Sequence, residues 1–271
     1  MPELPEVETV CRGLRPFMEG KILKNFTCHR QNLRNPFPPM FAERLDGKTV
    51  VSIARRGKYI LVNLKDYTWI MHLGMSGRIQ RNLSAEYSRQ KHDHVTWQVD
   101  DVIFAFNDPR RFGDMDLIAS EKEYVPIKNM APEPFEISKE EFFNRLKGTS
   151  RPLKTSLLDQ SIIAGLGNIY VCEALWQSGL SPFKASNTIT LVQTEILLKN
   201  IIEVLEKAII AGGSTLRDHR TVDGTLGYFQ NQLKVYGQKS TACLMPDCSG
   251  TIERETQSGR STYYCAVCQK L

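Results

Sequence analysis

Met1-Pro2-Glu3-Leu4-Pro5-Glu6-Val7-Glu8 opens the chain. A chain terminus is ordinarily loose and tolerant of change, but the residues that follow argue against a tail. Val7, Val10, Cys11, Leu14 and Phe17 recur at helical spacing, and Gly20 ends the run. Pro5 suits the first turn of that helix, where no backbone donor is needed. The stretch therefore predicts a helix that buries one face and ties the extreme N-terminus to a folded domain.

A fixed terminus has chemistry available. Initiator methionine is ordinarily removed when the next residue is small, which leaves Pro2 carrying the terminal amine. An α-amino group titrates near about 7.7–8.0, against about 10.4 for lysine, so more of it is neutral and nucleophilic at cellular pH. A proline amine is secondary, and with an aldehyde it gives a charged iminium, an electron sink for elimination. Glu3 is adjacent as a proton donor, and Glu6 lies one turn on.

Downstream of this helix, residues 22–30, 48–64, 67–73, 93–99, 102–107 and 111–119 read as strands, rich in Val, Ile, Thr and Tyr and broken by Gly47 and Gly57. Half a dozen short strands with one helix predict a β-sandwich with the helix packed on it. Residues 32–39 form a proline-rich loop. The texture changes near Val125, and Pro126, Pro132 and Pro134 suit a linker. Beyond it the pattern is helical. Ser138-Lys139-Glu140-Glu141 fits a capping box, Pro152 opens a second helix, Asn168 is placed as the cap of a third that ends at Gly179, and a long amphipathic helix spans about 190–211, closed by Gly212-Gly213. The expected fold class is α+β multidomain. The segments are 1–125 (N-terminal sandwich), 126–137 (linker), 138–237 (helical domain) and 238–271 (hairpin).

The whole chain has 271 residues, 41% hydrophobic and 24% charged, with a net charge of +5. That is an ordinary globular composition with room for a full core. The mild positive excess permits a polyanionic partner without demanding one. No apolar run is long enough to span a bilayer, and the first twenty residues carry Glu and Arg throughout, unlike a signal peptide. A cytoplasmic location is expected.

Four of the seven cysteines crowd the C-terminus as Cys243-x4-Cys248-x16-Cys265-x2-Cys268. Two close pairs separated by a hairpin are the geometry of a four-thiolate structural zinc site. One Zn²⁺ is expected, with no open position for catalysis. Two strands around Ser258-Gly259 would place Arg260 at the hairpin tip. Cys11, Cys28 and Cys172 stand singly in apolar patterns and suit buried packing.

Three further segments carry candidate chemistry. In Ala164-Gly165-Leu166-Gly167-Asn168, two glycines lead into a helix N-terminus, where backbone N–H groups can hold a phosphate; a tight corner between helices is the equal alternative. Asn107-Asp108-Pro109-Arg110-Arg111-Phe112-Gly113 sets paired arginines beside an aromatic, which suits insertion into a base stack. Read alone, Phe112 in the core with the arginines on a solvated turn is the plainer reading. His72-Leu73-Gly74-Met75-Ser76-Gly77 places a methionine between glycines, and Lys58 follows Arg55-Arg56-Gly57 at a strand start. His92 and His94 lack a third metal ligand, so phosphate contact or simple exposure is expected there.

In this order and together, Pro-Glu-Leu-Pro-Glu-Val-Glu-Thr, His-Leu-Gly-Met-Ser-Gly, Asp-Pro-Arg-Arg-Phe-Gly, Gly-Asn-Ile-Tyr and the terminal cysteines closely resemble the bacterial formamidopyrimidine-DNA glycosylase family over essentially the whole chain. Leu4 favours this family over the related endonuclease VIII type, which begins Pro-Glu-Gly-Pro-Glu. The resemblance implies a β-sandwich and a helix-two-turn-helix domain with a zinc hairpin, double-stranded DNA bound between them, and a monomeric enzyme that removes oxidised purines such as 8-oxoguanine. It also implies roles. Pro2 would attack C1′ and Glu3 would protonate the sugar, after which β- and δ-elimination cut the strand at the abasic site. Lys58 and Arg260 match residues near the scissile phosphates, and Asn168 matches the phosphate-site asparagine. Met75, Arg110 and Phe112 match the side chains that fill the gap left by a flipped nucleotide, which C1′ chemistry requires. Residues 214–219 match the lesion-reading segment, and Lys154 a lysine of 8-oxoguanine handling. His92, Arg111 and Arg151 complete the expected DNA contacts. The family's commoner first zinc pair is Cys-x2-Cys, and the x4 spacing departs from it.

Two other functions compete: an endonuclease VIII-like glycosylase for oxidised pyrimidines, and a zinc-bearing DNA-binding module without catalysis. The intact Pro2-Glu3 pair speaks against the module, and borohydride trapping on an abasic oligonucleotide separates it from the enzymes.

Overall fold

The apolar stripe at the start of the chain becomes the buried face of α1 (Leu4–Met18), where Leu4, Val7, Val10, Cys11, Leu14 and Met18 are all buried. Pro5 lies in its first turn, and Gly20, with φ +75°, follows its end. The computed structural model describes residues 1–119, 124–214, 222 and 227–270. They divide into two compact units, Met1–Lys128 with Ile209–Gln230, and Asn129–Ala208 with Asn231–Leu271. This cuts the chain differently from the four expected segments. The C-terminal hairpin shares a unit with the helices, and residues 209–230 return to the first unit.

The first unit holds two four-stranded antiparallel sheets. One has the order β1 (Lys24–Cys28), β6 (Asp93–Val99), β7 (Val102–Asn107), β5 (Arg78–Leu83). The other has the order β2 (Val50–Arg56), β3 (Tyr59–Leu64), β4 (Thr68–His72), β8 (Asp114–Ile118). Their inner faces share one core with α1, in which Phe26, Trp69, Trp97 and Phe104 pack as aromatic pairs with centroids 5.0–6.1 Å apart. Each such pair adds about 0.5–1.5 kcal/mol beyond its area burial, so Trp97→Ala would cost roughly 3–5 kcal/mol.

Three elements here were not expected from the sequence. Strand β5 is an edge strand whose one deeply buried apolar side chain is Ile79; its polar residues hide the alternation, as edge strands commonly do. Helix α2 (Phe41–Leu45) follows the proline-rich loop and buries Phe41 and Leu45, four positions apart, with Phe41 stacked on Phe37. The expected linker begins with a short helix, α3 (Val125–Lys128), because Ile127 buries itself on Leu61 and Ile70, on the outer face of the second sheet.

The second unit is built on α4 (Lys139–Lys147), α5 (Leu153–Leu157), α6 (Asn168–Gln177) and α7 (Leu191–Ile210), followed by the antiparallel hairpin β9 (Ile252–Gln257) and β10 (Arg260–Cys265). Ser138 caps α4 as expected, its Oγ accepting from Glu141 N at 3.1 Å. The cap of α6 is Gly167 in extended conformation, and Asn168 is the first helical residue, which corrects the expected capping role of Asn168. Among the described residues no helix is long and apolar enough to cross a membrane.

Candidate functional site

Helix α1 begins at a pair of buried carboxylates, Glu3 and Glu6, each 2% exposed. They form a capping box in which Glu3 N–H donates to Glu6 Oε2 at 2.8 Å. The other oxygen, Glu6 Oε1, accepts from Ser214 N–H at 2.8 Å. A Cβ at Gly213, whose φ is +80°, would lie 3.1 Å from the Glu6 side chain, so glycine is required for this approach. Pro2 is buried beside Glu3, whereas Met1 is exposed. Glu6 thus fixes both the residue after Pro2 and the start of the segment expected to read the lesion. Of that segment only Ser214 is described; residues 215–219 lie outside the described residues.

Lys58 occupies the two-residue turn between β2 and β3, with Gly57 supplying the positive φ, +56°, at its first position. Lys58 is buried at 8% exposure. Its hairpin is fastened to α1 by Arg55, which pairs with Glu8 at 3.1 Å and also donates to the Gly57 carbonyl at 2.9 Å. Burial works against charge on Glu8, but Arg12, Arg15 and Arg55 overcome it and hold the carboxyl below its ordinary value. His72, at the end of β4, accepts from Gly74 N–H through Nδ1 at 3.1 Å. Burial first, then the charges of Lys58 and Arg34, push its pKa down to about 4. His72 is therefore neutral at physiological pH and carries its proton on Nε2.

Met75, Arg110 and Phe112 come from two loops that Asp108 fastens together. Asp108 is fully buried. Its carboxylate accepts from Ser76 Oγ at 2.5 Å and from Gly113 N–H at 2.7 Å, while Ser76 Oγ accepts from Arg110 N–H at 3.2 Å. A Cβ on Gly74 would strike the Phe112 backbone at 2.2 Å, so the loops touch main chain to main chain. With both loops locked, Met75 remains 40% exposed and Phe112 43% exposed, and the Arg110 guanidinium lies 5.1 Å from the Phe112 ring centroid. The core reading of Phe112 is thereby excluded. Arg111 sits beside them, exposed, with φ +58°. His92 is half-buried, and its carbonyl accepts from Asp108 N–H at 3.0 Å. The neighbouring His94 has its Nε2 engaged with the Asp108 carbonyl at 2.9 Å, and among the described residues no group of three or more metal-binding side chains includes either histidine.

In the second unit, Arg260 is exposed at the hairpin tip, next to Ser258 and Gly259, which take φ +50° and +73°. Lys154 is 1% exposed, and its Nζ donates to the Ser261 carbonyl at 3.0 Å and to Thr262 Oγ1 at 2.8 Å. Asn168 Nδ2 donates to the same Ser261 carbonyl at 2.9 Å, while its Oδ1 is buried without a partner. Lys154 and Asn168 therefore meet on the residue that follows Arg260. Before α6, Gln160 pins the glycine-rich turn by accepting from Gly165 N–H at 2.8 Å. Arg151 stands apart from this cluster, paired with Asp159 at 2.8 Å on the surface.

The four cysteine Sγ atoms lie within 4.8 Å of one another, with Cys243–Cys268 at 3.7 Å and Cys248–Cys265 at 3.6 Å. Tetrahedral zinc with Zn–S bonds of about 2.3 Å requires S···S edges of about 3.8 Å. The donor set therefore fits one structural Zn²⁺, and the x4 spacing of the first pair does not prevent it.

Several functional residues carried little signal in the sequence. Asp108 lies inside a segment singled out for its neighbours, and nothing local marks it as the lock between two loops. Glu173 accepts from the backbone N–H groups of Lys234, Val235 and Tyr236 at 2.8–3.2 Å. A lone acid within the apolar run Val171-Cys172-Glu173-Ala174-Leu175 was its available signal.

Three family models match the chain: the formamidopyrimidine-DNA glycosylase N-terminal domain over residues 1–115, the formamidopyrimidine-DNA glycosylase H2TH domain over 130–220, and a zinc finger found in FPG and IleRS over 246–271. The chain is 47% identical to the formamidopyrimidine-DNA glycosylase of Agrobacterium fabrum, with all of both chains covered. Among solved structures it resembles the MutM (Fpg) protein of Thermus thermophilus, at 36% identity and a TM-score of 0.88, covering 99% of this chain and 98% of that one. It also resembles the Lactococcus lactis Fpg in complex with DNA containing an abasic site, at 35% identity and a TM-score of 0.89 over all of both chains.

Proposed function

Because this chain belongs to the formamidopyrimidine-DNA glycosylase family, we propose that it is a base-excision-repair glycosylase which removes oxidised purines from double-stranded DNA and then cuts the strand through an imine at Pro2. A solved relative bound to DNA containing Fapy-dG supports the lesion class. The observation that carries the chemistry is the fixed N-terminus, with Glu3 buried and Glu6 bonded to both Glu3 and Ser214. Removal of Met1 makes the Pro2 nitrogen a secondary amine. That nitrogen attacks C1′ and gives up its proton to the base, which leaves with the glycosidic electron pair. As the base leaves, Glu3 delivers a proton to the sugar ring oxygen, the ring opens, and the C1′–N bond becomes an iminium. Loss of a C2′ proton then expels the 3′ phosphate, and a second elimination expels the 5′ phosphate.

Lys58 and Arg260 are assigned to the scissile phosphates, and Asn168, Arg151, His92 and Arg111 to the DNA backbone. Met75, Arg110 and Phe112 fill the stack once the damaged nucleotide leaves it; their common lock on Asp108 supports one coordinated insertion. The four cysteines hold zinc, which keeps the hairpin folded. The bacterial relatives support action in the cytoplasm, on the nucleoid when DNA is bound.

Borohydride trapping on two duplexes tests this, one containing 8-oxoguanine and one a pre-formed abasic site, with intact mass of the protein measured in parallel. The chain lacking Met1 is expected to form a covalent adduct on both. Glu3→Gln should lose base release yet still trap the abasic aldehyde, which needs no leaving-group protonation. Full activity from chains shown to retain Met1 would overturn the role of Pro2 and shift it to Lys58.

A further inference from the structure

Helix α6 holds the zinc hairpin and the chain leading to it at three places. Asn168, in its first turn, bonds the Ser261 carbonyl, and Glu173 binds the backbone of residues 234–236. Near its C-terminal end, Trp176 Nε1 donates to Cys243 Sγ at 3.3 Å, with both residues buried in a small apolar cluster that also contains Cys172, Val235, Ile252 and Cys265. This indole stands out within the molecule: the N–H groups of Trp69 and Trp97 are buried in the sandwich without any acceptor. Cys243 is also the ligand preceding residue 246, where the match to the zinc-finger model begins. Its surroundings come from both sides: its N–H donates to the Gly250 carbonyl within the finger at 2.9 Å, and its sulfur accepts from the helix α6 indole.

From this geometry we propose that Trp176 is an outer-sphere partner of the zinc centre, whose indole N–H binds the Cys243 thiolate and slows its loss from the metal. A ligand leaves zinc when its lone pair is taken by a proton or a competitor. A hydrogen bond to the sulfur draws off charge, reduces its basicity and fixes its direction. Groups that orient metal ligands in this way typically contribute 10- to 100-fold in metal affinity. Because α6 is also anchored through Glu173, which accepts from the backbone of residues 234–236, the donor is pre-positioned. Cys172, one turn earlier on the helix, belongs to the same cluster, but only Cys243, Cys248, Cys265 and Cys268 form the four-sulfur group.

The test uses the zinc-loaded full chain and does not depend on the chemistry of Pro2. Zinc release to an excess chromogenic chelator is timed for the parent and for Trp176→Phe, which keeps a ring in the cluster and removes the N–H. Release should quicken by about tenfold. In a ¹⁵N-labelled, ¹¹³Cd-substituted parent, the Trp176 indole proton should show scalar coupling to the metal through Cys243 Sγ. Unchanged release from a folded Trp176→Phe chain overturns the proposal, whether or not coupling is seen. Absence of coupling in the parent also overturns it, and that measurement decides the matter if the variant does not fold.

Discussion

Substituting Lys154 by Met separates a lysine that touches the lesion from one that acts through the hairpin. Lys154→Met keeps most of the buried volume and removes the ammonium. The two acceptors on the hairpin are not orphaned. The Ser261 carbonyl keeps the Asn168 amide at 2.9 Å, and the Thr262 hydroxyl keeps its bond to Gln257 Oε1 at 3.2 Å. Two charge-assisted bonds of about 1.5–3 kcal/mol each are lost, set against relief of several kcal/mol for desolvating a buried ammonium. Stability should therefore change by no more than about 1–2 kcal/mol, and zinc should stay bound. Function should suffer more, because Ser261 adjoins Arg260 and a displacement of about 1 Å at a catalytic group costs roughly 10²-fold. A fall of about 30- to 100-fold in single-turnover excision is expected, equivalent to about 2–2.7 kcal/mol of transition-state stabilisation. The decisive measurement is the double-mutant cycle. In an Arg260→Ala background, Lys154→Met should cost less than about twofold more, because its effect is already gone. The same factor lost in both backgrounds, or a loss confined to one type of lesion, would refute action through Arg260.

Phe112→Ala should slow removal of a paired 8-oxoguanine by about tenfold or more but affect a pre-formed abasic site less than about threefold, since unstacking costs a few kcal/mol only for the paired base; equal losses on the two duplexes, compared by gel, would contradict insertion. Cys265→Ser should lower the zinc content and weaken binding to an abasic-site duplex by at least about tenfold, through disorder of the hairpin that presents Arg260, while hydrogen-exchange protection of the sandwich strands stays unchanged. Urea unfolding across acidic pH should show two regions. His72 has an ordinary value of 6.5 and a folded value of about 4, so the unfolded chain takes up the proton first and stability falls as pH drops from about 6.5 to 4. Glu8 is depressed in the folded state, so its contribution is complete above its ordinary value of 4.5 and disappears as pH falls further. His72→Gln should reduce the slope of the first region, to which His29 and His94, also held below their ordinary value by burial, contribute the remainder, and should leave the second.

What could be read from the chain followed from local chemistry. The helix after Pro5, the cap at Ser138 and the tip at Ser258-Gly259 each depend on residues within one turn of one another, and each is found. The zinc site was legible because thiolates at short spacing have few other uses in one cluster. Non-local features were not legible. Strand β5 shows no alternation because it lies at a sheet edge. Helix α3 exists because Ile127 finds Leu61 and Ile70, more than fifty positions earlier. The same limit applied to the site. Asp108 gains its role from Ser76, Lys154 from Ser261 and Glu6 from Ser214, and no window of sequence contains both members of any of these pairs.

The bond from Ser214 to Glu6 also sets an order of events in the making of the protein. The first unit is discontinuous, and Val222 is part of its core, within 3.0 Å of where a Cβ on Gly13 would lie. On a ribosome adding about 5–20 residues per second, the 208 positions between Glu6 and Ser214 take roughly 10–40 s to synthesise. Throughout that interval the nascent sandwich lacks one of its own core residues, and the Glu6 carboxylate lacks the partner that holds the terminus. A chain halted before residue 209 would carry Pro2 and Glu3 yet lack both the Ser214 bond to Glu6 and the Val222 side chain of the first unit's core. The end of the chain proposed to react is made first and completed last, so the Ser214 contact to Glu6 beside it forms only in a molecule whose translation has passed the second unit's helices.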